Sequence, residues 1–245
     1  MRKIAELLRI YFLDKIRRPM MVAMSLLFGL GFFVFLYLVF RTGGLSFGSR
    51  ESFGPMFAAS YLVFIPAYIA VYGVLNGLLE DSEKGVLKAY RGSRLTKAEY
   101  FTAKITTALI SSAFIAAGTL VMTYLFTGVL LNPALVSLAV LMTVVSHSGI
   151  AFIAASRATD RQESQMAMQL FAIVLIFGTP VFYPETLLPE SVRTLQQLMP
   201  LTHSIDLVRA IIQESVTAGL VIKKTGILAV FSAVLLGAGY REFQF

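Results

Sequence analysis

The side chains of this sequence that could do chemistry are few, and a histidine flanked by serines is the first of them. His147 stands beside Ser148, and a serine protease uses a histidine and a serine as base and nucleophile. These two are neighbours on one predicted helix, however, so their side chains diverge, and His203 lies far away in sequence. The H-E-x-x-H spacing of zinc proteases is absent. A six-helix intramembrane enzyme of the protease kind is therefore only an alternative, and His147 is either a functional group or a neutral, hydrogen-bonded one.

A ladder of aromatic residues follows helical spacing in one apolar segment. Offsets of four, three, four and four residues place five rings on one face, with an amide one turn below: Phe57, Tyr61, Phe64, Tyr68, Tyr72 and Asn76. Aromatic faces bind sugars and flat or cationic molecules, so this face is a candidate lining for a substrate pathway. Packing against a neighbouring span is the alternative. Gln165 and Gln169 could add two amides near the cytoplasmic mouth, or hydrogen-bond to another helix.

The composition indicates that the lipid bilayer is the main solvent of this chain. Hydrophobic residues make up 57% of the sequence and charged residues 14%, against about 25% charged residues in soluble domains. Six charge-poor segments are candidates to cross a hydrocarbon core about 30 Å thick. They are residues 20–40, 52–79, two segments within 105–156 that a turn at Asn132-Pro133 divides, 164–184 and 225–240. The last is short and is expected to extend back through 219–222, with Lys223 and Lys224 snorkelling.

Lysine and arginine are concentrated on one side of these spans. Fifteen of the 21 lie in the N-terminal segment, the loops after spans two and four, and the C-terminus. The positive-inside rule therefore predicts that both termini are cytoplasmic, in the plasma or inner membrane. The net charge of +7 belongs to these loops, so no nucleic-acid partner is expected. The chain has no cysteine, and its first apolar run is too long for a signal peptide, so we expect no disulfide and no cleaved leader.

Residues 1–19 predict an amphipathic helix that lies in the cytoplasmic interface. One face of this helix is apolar, and its members are Ile4, Leu7, Leu8 and Tyr11. Pro19 separates the helix from span one. A plain basic topology anchor is the alternative.

The loop over residues 80–104 predicts a short helix that projects from the membrane. Gly85 interrupts the preceding helix, and a small apolar knob follows among basic side chains, made of Val86, Leu87 and Tyr90. Thr96 and Glu99 then form a capping box that starts span three. The pattern fits a docking surface for a soluble partner and an ordinary charged loop equally well.

Residues 184–217 predict a re-entrant helical hairpin on the extracytoplasmic side. Two amphipathic pieces, separated by Met199-Pro200, are too short and too polar to span the bilayer. Because irregular backbone at membrane depth needs cover from protein or water, the hairpin is expected to pack on neighbouring spans. Asp206 and Arg209, spaced i, i+3, are expected to pair on its exposed face.

Two separate motifs make the chain resemble the permease subunit of type-2 ABC exporters. The first lies in the cytoplasmic loop and consists of Glu83-Lys84-Gly85-Val86-Leu87 with Arg91, Leu95, Tyr100 and Lys104 behind it. The second follows span five and consists of Phe182-Tyr183-Pro184, Pro189, Pro200-Leu201-Thr202-His203 and Arg209. The six-span plan also agrees. The resemblance therefore covers residues 1–245 as one permease domain: an all-α, polytopic membrane protein with six transmembrane helices, an N-terminal interfacial helix and a re-entrant hairpin.

The resemblance implies an exporter built from two permeases, identical or related, on two cytoplasmic ABC ATPase subunits. Residues 82–92 would form the coupling helix, which contacts the ATPase through Glu83, Gly85, Val86, Leu87, Tyr90 and Arg91. Spans two and five would line the substrate pathway. The hairpin would lie near the outer gate, with Tyr183, Pro184, Pro200, His203 and Arg209.

The resemblance also implies where the nucleotide binds and which substrates are candidates. The phosphate loop G-x-x-x-x-G-K-[ST] is absent, so ATP and Mg²⁺ are expected on the partner ATPase and no cofactor on this chain, which is not itself an enzyme. Members of the family export drugs, lipid-linked glycans, sodium or peptides. A secondary transporter is the other alternative; it would normally bury several charges in its spans and carry an inverted repeat, and neither is visible.

Overall fold

A computed structural model of the chain describes residues 2–17, 20, 27–42, 53–92, 95–157, 161–183 and 185–243. Within these ranges the secondary structure is helical, without a β-strand. The described helices are α1 (Arg2–Ile16), α2 (Phe32–Thr42), α3 (Phe53–Glu83), α4 (Val86–Arg91), α5 (Lys97–Thr127), α6 (Pro133–Arg157), α7 (Arg161–Gly178), α8 (Glu190–Gln196), α9 (Pro200–Ile212) and α10 (Ala218–Glu242). A π-helical turn, Leu27–Gly31, precedes α2, and a 3-10 turn, Glu185–Leu187, precedes α8.

Four of the described helices, α3, α5, α6 and α10, are long and apolar enough to cross a membrane. They correspond to predicted spans two, three, four and six, and α10 includes the predicted extension through residues 219–222. Predicted span one is described only in part, where Gly29–Val39 is a shorter apolar helix. Predicted span five corresponds to α7, whose first turn is polar. The count of six spans, the interfacial position of α1 and the re-entrant position of α8 and α9 stay predictions.

Two helix starts predicted from local sequence signals are present in the structure. The Thr96 backbone N–H donates to Glu99 Oε2 at 2.9 Å, and the Glu99 N–H donates to Thr96 Oγ1 at 3.2 Å, so the capping box that starts α5 is confirmed. Asn132 Oδ1 accepts the N–H of Ala134 at 3.0 Å at the start of α6. The predicted division of the long apolar stretch into two helices is therefore also confirmed.

Helix α3 is the central element of the fold, in contact with α2, α5, α6, α7 and α9. Every residue from Met56 to Ala67 is buried, and Ala58, Ala59 and Leu62 have no exposed surface. In a membrane, close contact between helices depends on good packing, since lipid tails are as apolar as the side chains themselves. The burial of α3 therefore fixes where its neighbours, and the side chains they carry, can lie.

Helices α6 and α10 approach each other so closely that only glycine fits at the crossing. A Cβ on Gly149 would lie 2.5 Å from the carbonyl carbon of Leu235, and a Cβ on Gly239 would lie 2.9 Å from the Gly149 oxygen. Both contacts are with backbone, which cannot move aside as a flexible side chain can. Small residues thus set the distance between these two helices.

This crossing predicts a strong effect from a single methyl group. Gly149→Ala should lower the stability of the folded chain by about 1–3 kcal/mol, the usual cost of overpacking, because α10 must shift. Gly237→Ala is the matched control, since a Cβ there meets no atom within 4 Å and alanine favours the helix. Thermal unfolding of both variants in detergent measures the difference. Equal melting temperatures for the two variants would contradict the close crossing.

Candidate functional site

A buried carboxylate organises the end of α3 beside the predicted cytoplasmic loop. Asp81 Oδ2 accepts hydrogen bonds from the Tyr11 hydroxyl at 2.9 Å and the Tyr100 hydroxyl at 2.7 Å, and it pairs with Lys104 Nζ at 2.8 Å. Asp81 and Lys104 are 7% and 5% exposed. Because these four residues come from α1, α3 and α5, one oxygen atom joins three helices. We call them the Asp81 cluster.

The Asp81 cluster satisfies the two charges that it buries. Lys104 Nζ also donates to the Gly77 carbonyl at 3.0 Å and lies 4.0 Å from the centre of the Tyr11 ring, close enough for a cation–π contact. Burial and the neighbouring Asp81 charge raise the pKa of the Tyr11 hydroxyl above its usual range, so it remains a donor. A buried ion pair is tolerated only when further hydrogen bonds complete it, as they do here.

Helix α4 occupies the position predicted for the coupling helix and packs on the end of α3. Gly85, between the two helices, has φ +68°, a left-handed conformation that glycine adopts without strain. The predicted apolar knob is only partly exposed to solvent, because its three members, Val86, Leu87 and Tyr90, are half-buried. The Tyr90 ring lies 5.8 Å from the Tyr100 ring, which connects α4 to the Asp81 cluster.

The exposed face of α4 and its approach is polar. Glu83, Lys84 and Lys88 are exposed, and Lys84 pairs with Glu80 at 2.6 Å. The Arg91 side chain lies outside the described part of the structure. The predicted basic side chains around the knob, Lys84 and Lys88, and the predicted contact residue Glu83 are therefore accessible at this surface.

Five of the eight predicted pathway residues line one cleft between α3 and α7. The cleft has a volume of about 280 Å³, and its lining includes Tyr68, Tyr72, Asn76, Gln165 and Gln169. The two tyrosine rings are nearly parallel, with centres 5.5 Å apart and planes 12° apart. The sequence spacing predicted one face for the tyrosines and Asn76 and another for the two glutamines, and the structure brings the two faces together.

The other three members of the aromatic ladder, Phe57, Tyr61 and Phe64, pack inside the chain. Tyr61 donates its hydroxyl to the Gly29 carbonyl at 2.9 Å, and the Phe57 and Phe64 rings lie within 6 Å of the Phe182 ring. All three are buried, at 0–5% exposure. The packing alternative therefore describes the first half of the ladder, while the second half faces the cleft.

His147 is fully buried in α6, and the described serine hydroxyls beside it donate to backbone carbonyls. Its Nδ1 lies 2.7 Å from the Thr143 carbonyl, which can only accept, so Nδ1 carries the proton in the neutral ring. The other ring nitrogen, Nε2, is the one that could act as a base, and within the described residues it has no hydrogen-bond partner. The Ser148 hydroxyl donates to the Val144 carbonyl at 2.8 Å instead. The neutral, hydrogen-bonded interpretation of His147 fits this arrangement, and the serine-protease alternative does not.

Arg209 holds the second predicted motif together from a buried position. Its Nε donates to Ser60 Oγ at 2.9 Å, and its Nη2 donates to the carbonyls of Pro180 and, at 3.3 Å, Tyr183. The Tyr183 hydroxyl in turn accepts a hydrogen bond from Gln196 Nε2 at 2.7 Å. The prediction that Arg209 lies on an exposed face is wrong: it is 8% exposed, because the loop carbonyls after α7 need a donor in the protein interior.

Ion pairing and a raised carboxyl pKa characterise the remainder of this region. Asp206 pairs with Lys224 of α10, whose Nζ also lies 3.4 Å from His203 Nδ1. Burial, with the neighbouring Asp206 charge, raises the pKa of Glu185 to about 7. Pro200 is the first residue of α9, where proline suits a helix start, and Pro184 lies outside the described residues.

Comparison with known families decides among the interpretations. A family model described as ABC-2 type transporter matches residues 2–212. The chain belongs to the ABC-2 type transporter family. A search of curated proteins found no match. The match covers both the loop that carries α4 and the Arg209 region, and with the apolar helices it establishes a multi-pass membrane permease of an ABC transporter. Permeases of the ABC-2 family typically work with an ATPase subunit.

The Asp81 cluster of this ABC-2 permease predicts an asymmetry between single and double substitutions. Lys104→Met leaves the buried Asp81 charge without its cation and should cost about 3–5 kcal/mol of stability. Asp81→Asn with Lys104→Met removes both charges and should cost clearly less. Thermal or denaturant unfolding in detergent compares the two. A double variant at least as unstable as the single one would show that the charge pairing is unimportant.

The raised pKa of Glu185 predicts a pH dependence with a definite sign. A carboxyl group whose folded pKa lies above its unfolded value adds stability below pH 4.5, and that stability is lost as pH rises through about 7. Glu185→Gln should remove this fall between pH 5 and 7 in melting experiments. Glu190→Gln, at an exposed position on α8, is the control and should leave the fall unchanged. A wild-type curve parallel to that of Glu185→Gln would contradict the assignment.

Proposed function

We propose that this permease is the membrane half of an ATP-driven exporter, that it works as a dimer, and that separate cytoplasmic ABC ATPase subunits supply the energy. The family assignment supports this proposal. The observation that carries the coupling role is the short helix α4, set off by Gly85 and joined to the Asp81 cluster. Residues 80–104 form the cytoplasmic coupling loop, and both termini lie in the cytoplasm.

The coupling path that we propose runs from α4 to the spans through packed rings and the Asp81 cluster. An ATPase would dock on α4 and on the charged side chains before it, Glu83 and Lys84. Movement of α4 would act on Tyr90 and then on Tyr100, which is hydrogen-bonded to Asp81. Because Asp81 also holds Tyr11 and Lys104, α1, α3 and α5 would respond together. The N-terminal helix α1 would lie in the membrane interface and support the docking region.

The substrate pathway that we propose passes the cleft between α3 and α7. Beside the cleft, α7 exposes large apolar side chains in the single chain, among them Leu170, Ile173 and Phe177 at 63%, 51% and 71%. In the proposed dimer, a second permease would lie on this stripe and complete the pathway. At the other end, Arg209, Tyr183 and the hairpin of α8 and α9 would form part of the outer gate, because they tie α9 to α3 and to the loop after α7.

One substitution in the permease tests the coupling role of α4, and a second serves as its control; the ATPase is left unchanged. At Gly85, alanine has free space but an unfavourable φ, which costs about 1–2 kcal/mol, so Gly85→Ala should displace α4. Gly92→Ala is the matched control, since Gly92 has φ −76°. We expect that the permease co-purifies with an ABC ATPase, and that Gly85→Ala lowers nucleotide-dependent export at least several-fold while Gly92→Ala does not.

The outcomes also separate the proposal from its alternatives. Normal export by Gly85→Ala at normal membrane levels would remove the coupling assignment. Uphill transport by the permease alone, without nucleotide, would instead support a secondary transporter. Cleavage of peptides by the purified chain would support an intramembrane enzyme.

A further inference from the structure

The cleft between α3 and α7 is lined by groups that are polar but uncharged. Its polar members are two phenols, three carboxamides and a hydroxyl, from Tyr68, Tyr72, Asn76, Gln165, Gln169 and Ser164. Leucine, methionine and alanine side chains complete the described lining, and none of these described residues carries a charge. The chemistry of the cleft is therefore that of hydrogen bonding and apolar contact.

Two aromatic faces and several amides form a combination that suits a ring with hydroxyl groups. Tyr72 is 46% exposed and stacks on Tyr68, so the pair presents a flat, electron-rich surface. The C–H groups on one face of a sugar ring are slightly positive and pack well on such a surface. Gln165 and Gln169 are exposed and spaced one helical turn apart, and each carboxamide can donate and accept, as each sugar hydroxyl can.

The lining disfavours a charged ligand. Among the described lining residues a cation would find no carboxylate and an anion no lysine or arginine, and an unpaired charge removed from water is costly. The closest ionic groups on α3 already pair with cations: Glu80 with Lys84 and Asp81 with Lys104. Tyrosine faces alone attract cations only modestly, so they do not offset the absence of a carboxylate.

We propose that this cleft binds an uncharged sugar unit of the exported substrate, with the tyrosine pair under the ring and the carboxamides on its hydroxyl groups. The assignment deepens the proposed function and rests on it. At about 280 Å³ the cleft has room for one sugar ring. The sugar can belong to a soluble oligosaccharide or to a glycolipid, and the experiment distinguishes these sources.

A single tryptophan reports on binding, because the chain has none of its own. Tyr72→Trp, in the full-length chain in phosphatidylcholine nanodiscs, places an indole in the cleft. The soluble probe is maltose, and the lipid probe is glucosyl diacylglycerol in the disc. Tetraphenylphosphonium and glucose 6-phosphate are the cationic and anionic comparisons. Tyr124→Trp is the matched control, an equally exposed tyrosine on α5 that does not line the cleft.

We expect a saturable change in emission with maltose or with the glucosyl lipid, and binding of both charged probes that is weaker by about tenfold or more. Adding Gln169→Leu should weaken sugar binding by a similar factor, since a hydroxyl group loses its partner. Tyr124→Trp should show no saturable change. A response to maltose identifies a soluble sugar unit, and a response to the glucosyl lipid alone identifies a lipid-linked one.

Two results would overturn the sugar assignment: tighter binding of a charged probe than of either sugar, or no saturable response to both sugars. If Tyr72→Trp fails to fold, binding is measured without a tryptophan. Equilibrium dialysis then measures labelled maltose, and flotation measures labelled glucosyl lipid. Both are carried out with the unsubstituted chain and with Gln169→Leu. Co-purification with the ATPase and nucleotide-dependent export are measured separately. If these hold while sugar binding fails, the exporter proposal stands and the sugar assignment falls.

Discussion

The structure depends most on a carboxylate that is buried near the end of α3. Asp81 ends the apolar part of α3, and its Oδ2 is reached by two tyrosine hydroxyls and one ammonium. Neither charge is stable alone in an apolar setting, so the partners must come together or the fold loses several kcal/mol. That requirement fixes α1 and α5 on α3, and through the Tyr100 ring it fixes the position of α4.

The opposite end of α3 follows the same principle with a different charge. Arg209 of α9 is buried and donates to Ser60 of α3 and to the loop carbonyls after α7. Polar ties thus lie near both ends of α3, while close apolar packing holds the part between them. A helix fixed at both ends in this way can pass a displacement from one end to the other, which is the mechanical property that the exporter proposal needs.

The cleft lies on the same helix because α3 changes its neighbours along its length. Up to Phe64, aromatic rings from α2 and from the loop after α7 cover the ladder. From Tyr68 onward the ladder faces α7, whose first turns bring Gln165 and Gln169 together with apolar Met168. One periodic face therefore serves as core in its first half and as an accessible surface in its second half, and no change in spacing marks the transition.

The sequence alone determined the solvent of this protein, the boundaries of most helices and the family resemblance. The Thr96–Glu99 capping box, the Asn132-Pro133 turn and Gly85 are local signals that act within a few residues. Charge-free length is a property of one continuous segment, so it too can be read without knowing the neighbouring helices. Only the tertiary structure decided that Arg209 is buried, that Asp81 joins Tyr11 to Lys104, and that Tyr68 lines a cleft with Gln169 while Tyr61 does not. Those contacts join residues 23 to 149 positions apart, where the arrangement depends on how whole helices pack, and helical periodicity gives a residue its face without naming the helix that the face will meet.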